Sequence, residues 1–211
     1  MSPRTAAVLR DGGGGPSLRD HLVAAAERLV AERGAAGLTV RDIAREARVA
    51  AGVLYNHFAD KEELLALALH AHVRAAERAL GPLPVAGTGG VEDNLRAIVR
   101  HGIALHRAIL PAFAGLASRP KVLERFAALP NPLADGRGLR AGIAEYLRAE
   151  QRLGRVAAGA RCEAVATMVV GACHELVLPP PGPLPGAAPP EVAPEVVDDL
   201  VAAVLDGVRR R

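Results

Sequence analysis

Aromatic residues are scarce in this chain: of 211 residues three are Phe, two are Tyr and none is Trp. Sheets favour aromatic and β-branched side chains, whereas the apolar half of this composition is mostly Ala, Val and Leu, so extended strand-like runs are hard to find. Long apolar runs are missing as well. The longest uncharged one, Ala164 to Cys173, falls far below the roughly 20 residues that cross a bilayer. The opening segment Met1 to Pro16 carries Arg4, Arg10, Asp11 and a run of glycines instead of the apolar stretch of a signal peptide, so the expectation is a soluble, cytoplasmic chain. Cysteine is limited to Cys162 and Cys173; on one helix they stand about 16 Å apart, too far for an intrachain disulfide. Small buried side chains are their simplest role.

Charge of one sign is also lacking. The formal net charge is only +3, and the terminal Arg209, Arg210 and Arg211 account for as much, so bulk charge makes no argument for nucleic acid. Chemistry is equally underprovided. The chain holds no Gly-rich phosphate loop, no nucleophile elbow and no Cys-x-x-Cys pair. His101 and His106 lie about 140° apart around a helix, and His70 and His72 about 200° apart, so neither pair shares a face for a metal. No enzyme, metal site or cofactor is expected.

What is present reads as helix throughout. Ser17 is an N-cap with Asp20 three residues on, and Leu18, Leu22, Ala25 and Leu29 follow at helical spacing to about Gly34. Thr39, with Asp42 three residues on, caps a second helix of about two turns ending near Ala47. A short helix from about Ala51 to Phe58 comes next, and Asp60 with Glu63 forms a capping box for a longer one that continues to about Leu80. Gly81 to Gly90, with two prolines and four glycines, reads as a loop. Further helices are expected at about 91–108, 109–117, 120–128, 136–153, 160–177 and 195–209. Between the last two, Pro179 to Pro194 holds eight prolines and predicts an extended crossover.

A two-turn helix, a tight turn and a second short helix make a helix-turn-helix, whose second element enters the major groove of DNA. Ile43, Ala44, Ala47, Val49, Leu54 and Phe58 form the side that packs inward on Leu22, Ala26 and Leu29. Ala50, Ala51, Gly52, Val53, Tyr55, Asn56 and His57 remain outward. That face is short and nearly uncharged, which suits close approach to base edges. Tyr55, His57 and Lys61 can donate to phosphates, and Thr39 with the amides of Val40 and Arg41 stands at a helix N-terminus that favours anions. Val53, Asn56 and Arg41 are the expected base readers. Arg4 and Arg10 of the arm either reach a minor groove or form a solvated tail.

The stretch TVRDIAREARVAAGVLYNHFADKEELL, residues 39 to 65, resembles the DNA-binding signature of the TetR family of bacterial repressors, and the likeness extends from about Leu18 to Leu69. Leu54, Tyr55, Phe58 and Lys61 are its most specific members. The resemblance implies that Arg41, Ala51 to Val53 and Asn56 face bases while Val40, Tyr55, His57 and Lys61 lie near phosphates. Two positions depart from the family pattern. Arg48 stands where the family has a turn glycine, and Ala50 replaces a capping hydroxyl residue.

In the second half, Cys162, Ala166, Val169, Cys173 and Leu176 repeat at alternating four- and three-residue steps, as do Val197, Val201, Val204 and Val208. Such stripes pack an internal core or a four-helix contact with a second copy; the resemblance implies the latter and a homodimer. His101, Leu105, Phe113, Phe126, Tyr146, Thr167, Met168 and His174 bring bulk or polarity into Ala-rich helices and are the candidates for an effector pocket. The resulting expectation is an all-α protein with three parts: a flexible arm (1–16), a three-helix helix-turn-helix domain (17–62) and a C-terminal ligand-binding and dimerisation domain (63–211). The helix over 61–80 connects the two domains. Operator DNA, a second copy and an unidentified small-molecule effector are the expected partners; a DNA-binding regulator without an effector is the alternative.

Overall fold

The computed structural model describes residues 17–133, 137–178 and 191–208. The expected arm, the prolines of 179–190 and the terminal arginines lie outside these residues. Every described element is helical: α1 (Leu18–Arg33), α2 (Val40–Ala47), a 3-10 helix (Ala51–Asn56), α3 (Lys61–Leu80), α4 (Val91–Phe113), a 3-10 turn (Leu116–Ser118), α5 (Pro120–Ala128), α6 (Leu139–Arg152), α7 (Cys162–Glu175) and α8 (Pro194–Val208). No described helix is long and apolar enough to cross a membrane.

Local chemistry sets the starts of these helices. The Ser17 hydroxyl accepts from the Asp20 amide at 3.1 Å while the Asp20 carboxylate accepts from the Ser17 amide, a complete capping box. At the start of α3 the Asp60 carboxylate accepts from the Glu63 amide at 2.8 Å, but Glu63 reaches back to the amide of Ala59 and not to that of Asp60. The expected break near residue 108 is absent. α4 runs unbroken to Phe113 with Pro111 inside its last turn, so the segments expected at 91–108 and 109–117 meet in one helix; Pro111 has no N–H to bond back to the preceding turn, and the helix stops two residues later.

The chain packs as two compact units, Met1–Ala75 with Ile109–Pro132, and Ala76–Ala108 with Leu133–Arg211. The division therefore falls within α3 and α4, and the first unit takes in a segment far along the chain that the expected boundary at residue 62 leaves out. The physical reason lies at the end of α1. Gly34 has φ +70°, and a Cβ there would sit 3.2 Å from the Pro111 carbonyl oxygen. This close approach lets the Ala35 amide donate to the Ala112 carbonyl at 3.2 Å. Ala112, Leu116 and Val122 then share one core with Leu22, Leu29, Ile43, Leu54, Phe58, Leu65 and Leu69. Phe113 and Phe126, expected in an effector pocket, pack against this core as an edge-to-face pair with centroids 5.2 Å apart.

In the second unit, the apolar stripe expected at a contact between copies is internal. Cys162, Ala166, Val169 and Cys173 on α7 and Val197, Val201 and Val204 on α8 are buried within the single chain, and Leu176 is half-buried. The side chain of Val208 lies outside the described residues. Cys173 fits so closely that a Cβ on Gly102 would fall 2.8 Å from its Sγ. Burial pushes the Cys173 thiol up to about 11, so it stays protonated and inert. The buried members of the stripe pack within their own domain and leave little surface for a second copy.

The loop Gly81 to Gly90 is tied down at its far end. Glu150 on α6 is fully buried; its Oε1 accepts from the Gly87 amide at 3.3 Å and its Oε2 lies 3.2 Å from Nε of Arg155, whose Nη2 donates to the Gly89 carbonyl at 2.6 Å.

Candidate nucleic-acid interface and cleft

The helix-turn-helix rests on α1. Along α2, Ile43, Ala44 and Ala47 are buried, and Leu54 and Phe58 bury the inner side of the following segment. Two side-chain bonds reinforce this seat, from Arg28 to Glu46 at 2.9 Å and between His21 Nε2 and the Ala47 carbonyl at 3.1 Å.

The turn itself is held in an unusual conformation. Arg48 has φ 58° and ψ 41°, and it is the single non-glycine with positive φ among the described residues. The family glycine would adopt this freely; an arginine carries a cost on the order of 1 kcal/mol. After it Ala50 offers no side-chain cap. The segment expected as a short α-helix over 51–58 is a 3-10 helix, Ala51–Asn56, with the Val53 amide bonding the Ala50 carbonyl at 2.9 Å. The missing cap, Gly52 and β-branched Val53 each weaken the α form.

Outward placement follows from that register. Ala50, Gly52, Tyr55 and Asn56 are exposed, Tyr55 by 63%, and Ala51, Val53 and His57 are half-buried. Arg41 is exposed on α2, and Val40 and Lys61 are half-buried. Thr39 is already engaged. Its hydroxyl donates to Asp42 at 2.5 Å and accepts from the Asp42 amide at 3.2 Å, and the Thr39 amide donates to the same carboxylate at 3.0 Å. These bonds hold the Asp42 carboxyl below the usual range. The amides of Val40 and Arg41 have no partner among the described residues, so they are the first-turn donors left for an outside anion.

Sequence reasoning missed the groups that hold this surface in place. Arg19 on α1 lies over the Phe58 ring, 4.8 Å from its centroid, and donates to Glu63 at 2.7 Å. It thereby links α1 to both the end of the 3-10 segment and the cap of α3. Arg125 on α5 pairs with Asp60, the other capping carboxylate. Arg19 is the immediate neighbour of the capping Asp20, a position that gives no sign of its reach to Phe58 and Glu63, and nothing local announced Arg125.

The second unit holds a cleft of about 750 Å³ open to solvent. His101 from α4 and Tyr146 from α6, both expected in a pocket, line it together with the loop Gly81–Ala86, Arg78, Leu139, Ala149 and Arg152. Burial holds the His101 ring below its usual pKa, partly opposed by Glu77, and pushes the Tyr146 hydroxyl up to about 12, with Asn94 pulling the other way and Glu150 adding to the rise. The other candidates stand elsewhere. Leu105 is core, Met168 is 65% exposed, Thr167 is exposed and donates to the Glu163 carbonyl, and His174 is exposed with its ring 5.5 Å from that of His106. Each was chosen for bulk or polarity on a helix, and neither property tells which side of the helix a cleft will occupy. Among the described residues no three His, Cys, Asp or Glu gather around a metal position.

Comparison with known proteins agrees with this geometry. Residues 22–68 match the family model for bacterial regulatory proteins of the tetR family. The chain is 49% identical over 49 residues to the HTH-type transcriptional repressor KstR2 of Mycobacterium tuberculosis, covering 23% of this chain and 24% of that protein. It is 41% identical over 51 residues to the HTH-type transcriptional regulator HbdR of Aromatoleum sp., covering 24% of this chain and 22% of that protein. The matches thus span under a quarter of the length of either curated relative. At the level of fold, the TetR family transcription regulator SCO0332 superposes with a TM-score of 0.60 over 92% of this chain and 99% of its own, at 24% identity. Residues 22–68 thus carry the DNA-binding signature of the tetR family of bacterial regulatory proteins, and the chain as a whole shares the helical fold of the solved regulator.

Proposed function

We propose that this protein is a cytoplasmic, DNA-binding transcriptional regulator, a homodimeric repressor released from its operator when a small molecule enters the cleft of the second unit. One observation carries the DNA-binding part. The outer face of the segment Ala51–Asn56 is small, exposed and uncharged, while its inner face, through Leu54, is locked into the core beside Phe58. A face built this way enters a major groove without a desolvation cost for charge, with Gly52, Val53 and Asn56 at base edges and Arg41 beside them. Tyr55, His57, Lys61 and the free amides of Val40 and Arg41 supply phosphate contacts that set the register.

The dimer uses a face other than the buried stripe. On α7 the exposed residues Ala164, Met168, Gly171 and Glu175 repeat at the same four- and three-residue steps, two positions on from the internal set and so about 200° around the helix, and exposed Leu178 follows just beyond its end. Exposed Val196 and Ala203 extend an apolar face on α8. Met168, Leu178 and Val196 are 65%, 42% and 40% exposed in the single chain, large apolar groups that a second copy would cover. Bound effector and bound operator oppose each other because each favours a different conformer, and only such a difference in affinity shifts their populations.

Binding to duplex fragments of the protein's own promoter, followed by fluorescence anisotropy over a salt series, tests the reading. The expected outcome is specific binding with a steep salt dependence, weakened by Tyr55→Ala with the salt slope and the oligomeric state unchanged, and flattened by Lys61→Gln. Equal affinity for promoter and unrelated duplex would overturn it.

A further inference from the structure

The chemistry of the cleft narrows what can occupy it, given the reading that this protein answers to an effector. Three arginines and two glutamates line the cleft. Arg137 and Glu145 are paired with each other, and Glu77 acts on His101. Arg78 and Arg152 pair with no carboxylate among the described residues. The same cleft has an apolar wall built from Leu83, Pro84, Val85 and Ala86 of the loop and from Leu139 and Ala149 of α6. The loop keeps this wall in place because its far end is held by Glu150 and Arg155. Val85, which lines the same cleft as these two arginines, is a large apolar group left 69% exposed.

A cationic occupant finds little here. Recognition of quaternary ammonium relies on several aromatic faces, and Tyr146 is the only Phe, Tyr or Trp lining the cleft. The nearest carboxylates are already engaged. A wholly neutral occupant would leave both arginines unused, and a volume of about 750 Å³ sits within the usual 300 to 1,000 Å³ of small-molecule sites. We infer that the cleft takes an apolar monocarboxylic acid, its acid group held by Arg78 or Arg152 and its body laid along Leu83 to Ala86.

Isothermal titration of the full-length protein tests this with matched probes: decanoate and 2-naphthoate against decanol and 2-naphthol, with decyltrimethylammonium as the cation. At least one acid should bind tenfold or more tighter than its neutral analogue. In the double variant Arg78→Gln, Arg152→Gln that preference should fall below threefold, with the neutral probe's affinity and the thermal midpoint unchanged. Equal binding of acid and alcohol, tighter binding of the cation, no saturable binding of either acid, or an acid preference that survives the double variant would each overturn the inference. Promoter binding by the same preparations separates the two claims. DNA binding without acid binding sinks the ligand class alone, whereas acid binding without DNA binding sinks the regulator reading and leaves the cleft chemistry standing.

Discussion

Arg48 offers a direct test of whether the turn stores strain. Its φ of 58° places a Cβ in the left-handed region, which costs an L-residue roughly 1 to 2 kcal/mol. Replacement by glycine removes that cost and returns about 0.5 to 1 kcal/mol of it as extra freedom in the unfolded chain. The expected net gain for Arg48→Gly is about 0.5 to 1 kcal/mol. For a chain of this size that raises the midpoint of the first unit's unfolding by roughly 1 to 4 °C. Arg48→Ala is the control: it deletes the same exposed guanidinium but keeps the Cβ, so it should gain nothing. Urea unfolding followed by circular dichroism, with equal slopes for the three proteins, reads the differences without a change in exposed surface. A glycine variant no more stable than the alanine variant would refute the strain argument. If Arg48 also lies near a phosphate, both variants lower the salt slope of DNA binding by about 0.9, and they do so equally because the charge, not the backbone, sets that term.

Glu150→Ala removes a buried carboxylate that holds the Gly81–Gly90 loop; because Arg155 keeps 29% exposure and can reach water, the expected loss is about 2 kcal/mol, below the 3 to 5 typical of fully buried pairs, and Glu150→Gln should lose less. Differential scanning calorimetry measures both. Burial holds His106 below its usual pKa, with the neighbouring His174 adding to the effect and the bond to the Gly102 carbonyl opposing it. A depressed histidine binds its proton more readily when unfolded, so its contribution is present above about pH 6.5 and is lost as the pH falls through the folded value. Stability measured from pH 7.5 to 5 should therefore decline, and His106→Gln should make the decline shallower. Gly102→Ala would place its Cβ 2.8 Å from the Cys173 Sγ, an overpacking expected to cost about 1 to 3 kcal/mol and to be relieved by adding Cys173→Ala.

Much of the first unit was legible because its determinants are local. Ser17 with Asp20, Thr39 with Asp42 and Asp60 with Glu63 sit three residues apart and declare helix starts directly. The inner and outer sides of residues 43 to 58 follow from helical spacing alone. What stayed hidden depends on distant chain. Nothing near Ala35 shows that its amide will meet Ala112, or that Asp60 will meet Arg125. The pocket candidates suffered in the same way. His101 and Tyr146 reached the cleft, but its wall comes from a Pro-Leu-Pro loop that looked like a mere connection, and its free charge from Arg78 and Arg152, which look like ordinary surface arginines.

The two stripes on α7 show why periodicity misleads when asked about assembly. A helix packed inside a domain and a helix at a symmetric contact both demand apolar residues at four- and three-residue steps. Where one helix serves both, the more apolar stripe goes to the contact that exists at any concentration, which is the domain's own core. Cys162, Ala166, Val169 and Cys173 are that stripe. On the proposed dimer face a partner copy would meet the poorer stripe, where Ala164 and Gly171 supply little area and Met168 supplies most of it. Small residues let two backbones approach closely, so the missing side-chain bulk is recovered as shape complementarity and not as buried area per residue. Such an interface should tolerate Ala164→Ser and fail at Gly171→Leu, the reverse of what a core stripe of large side chains would do.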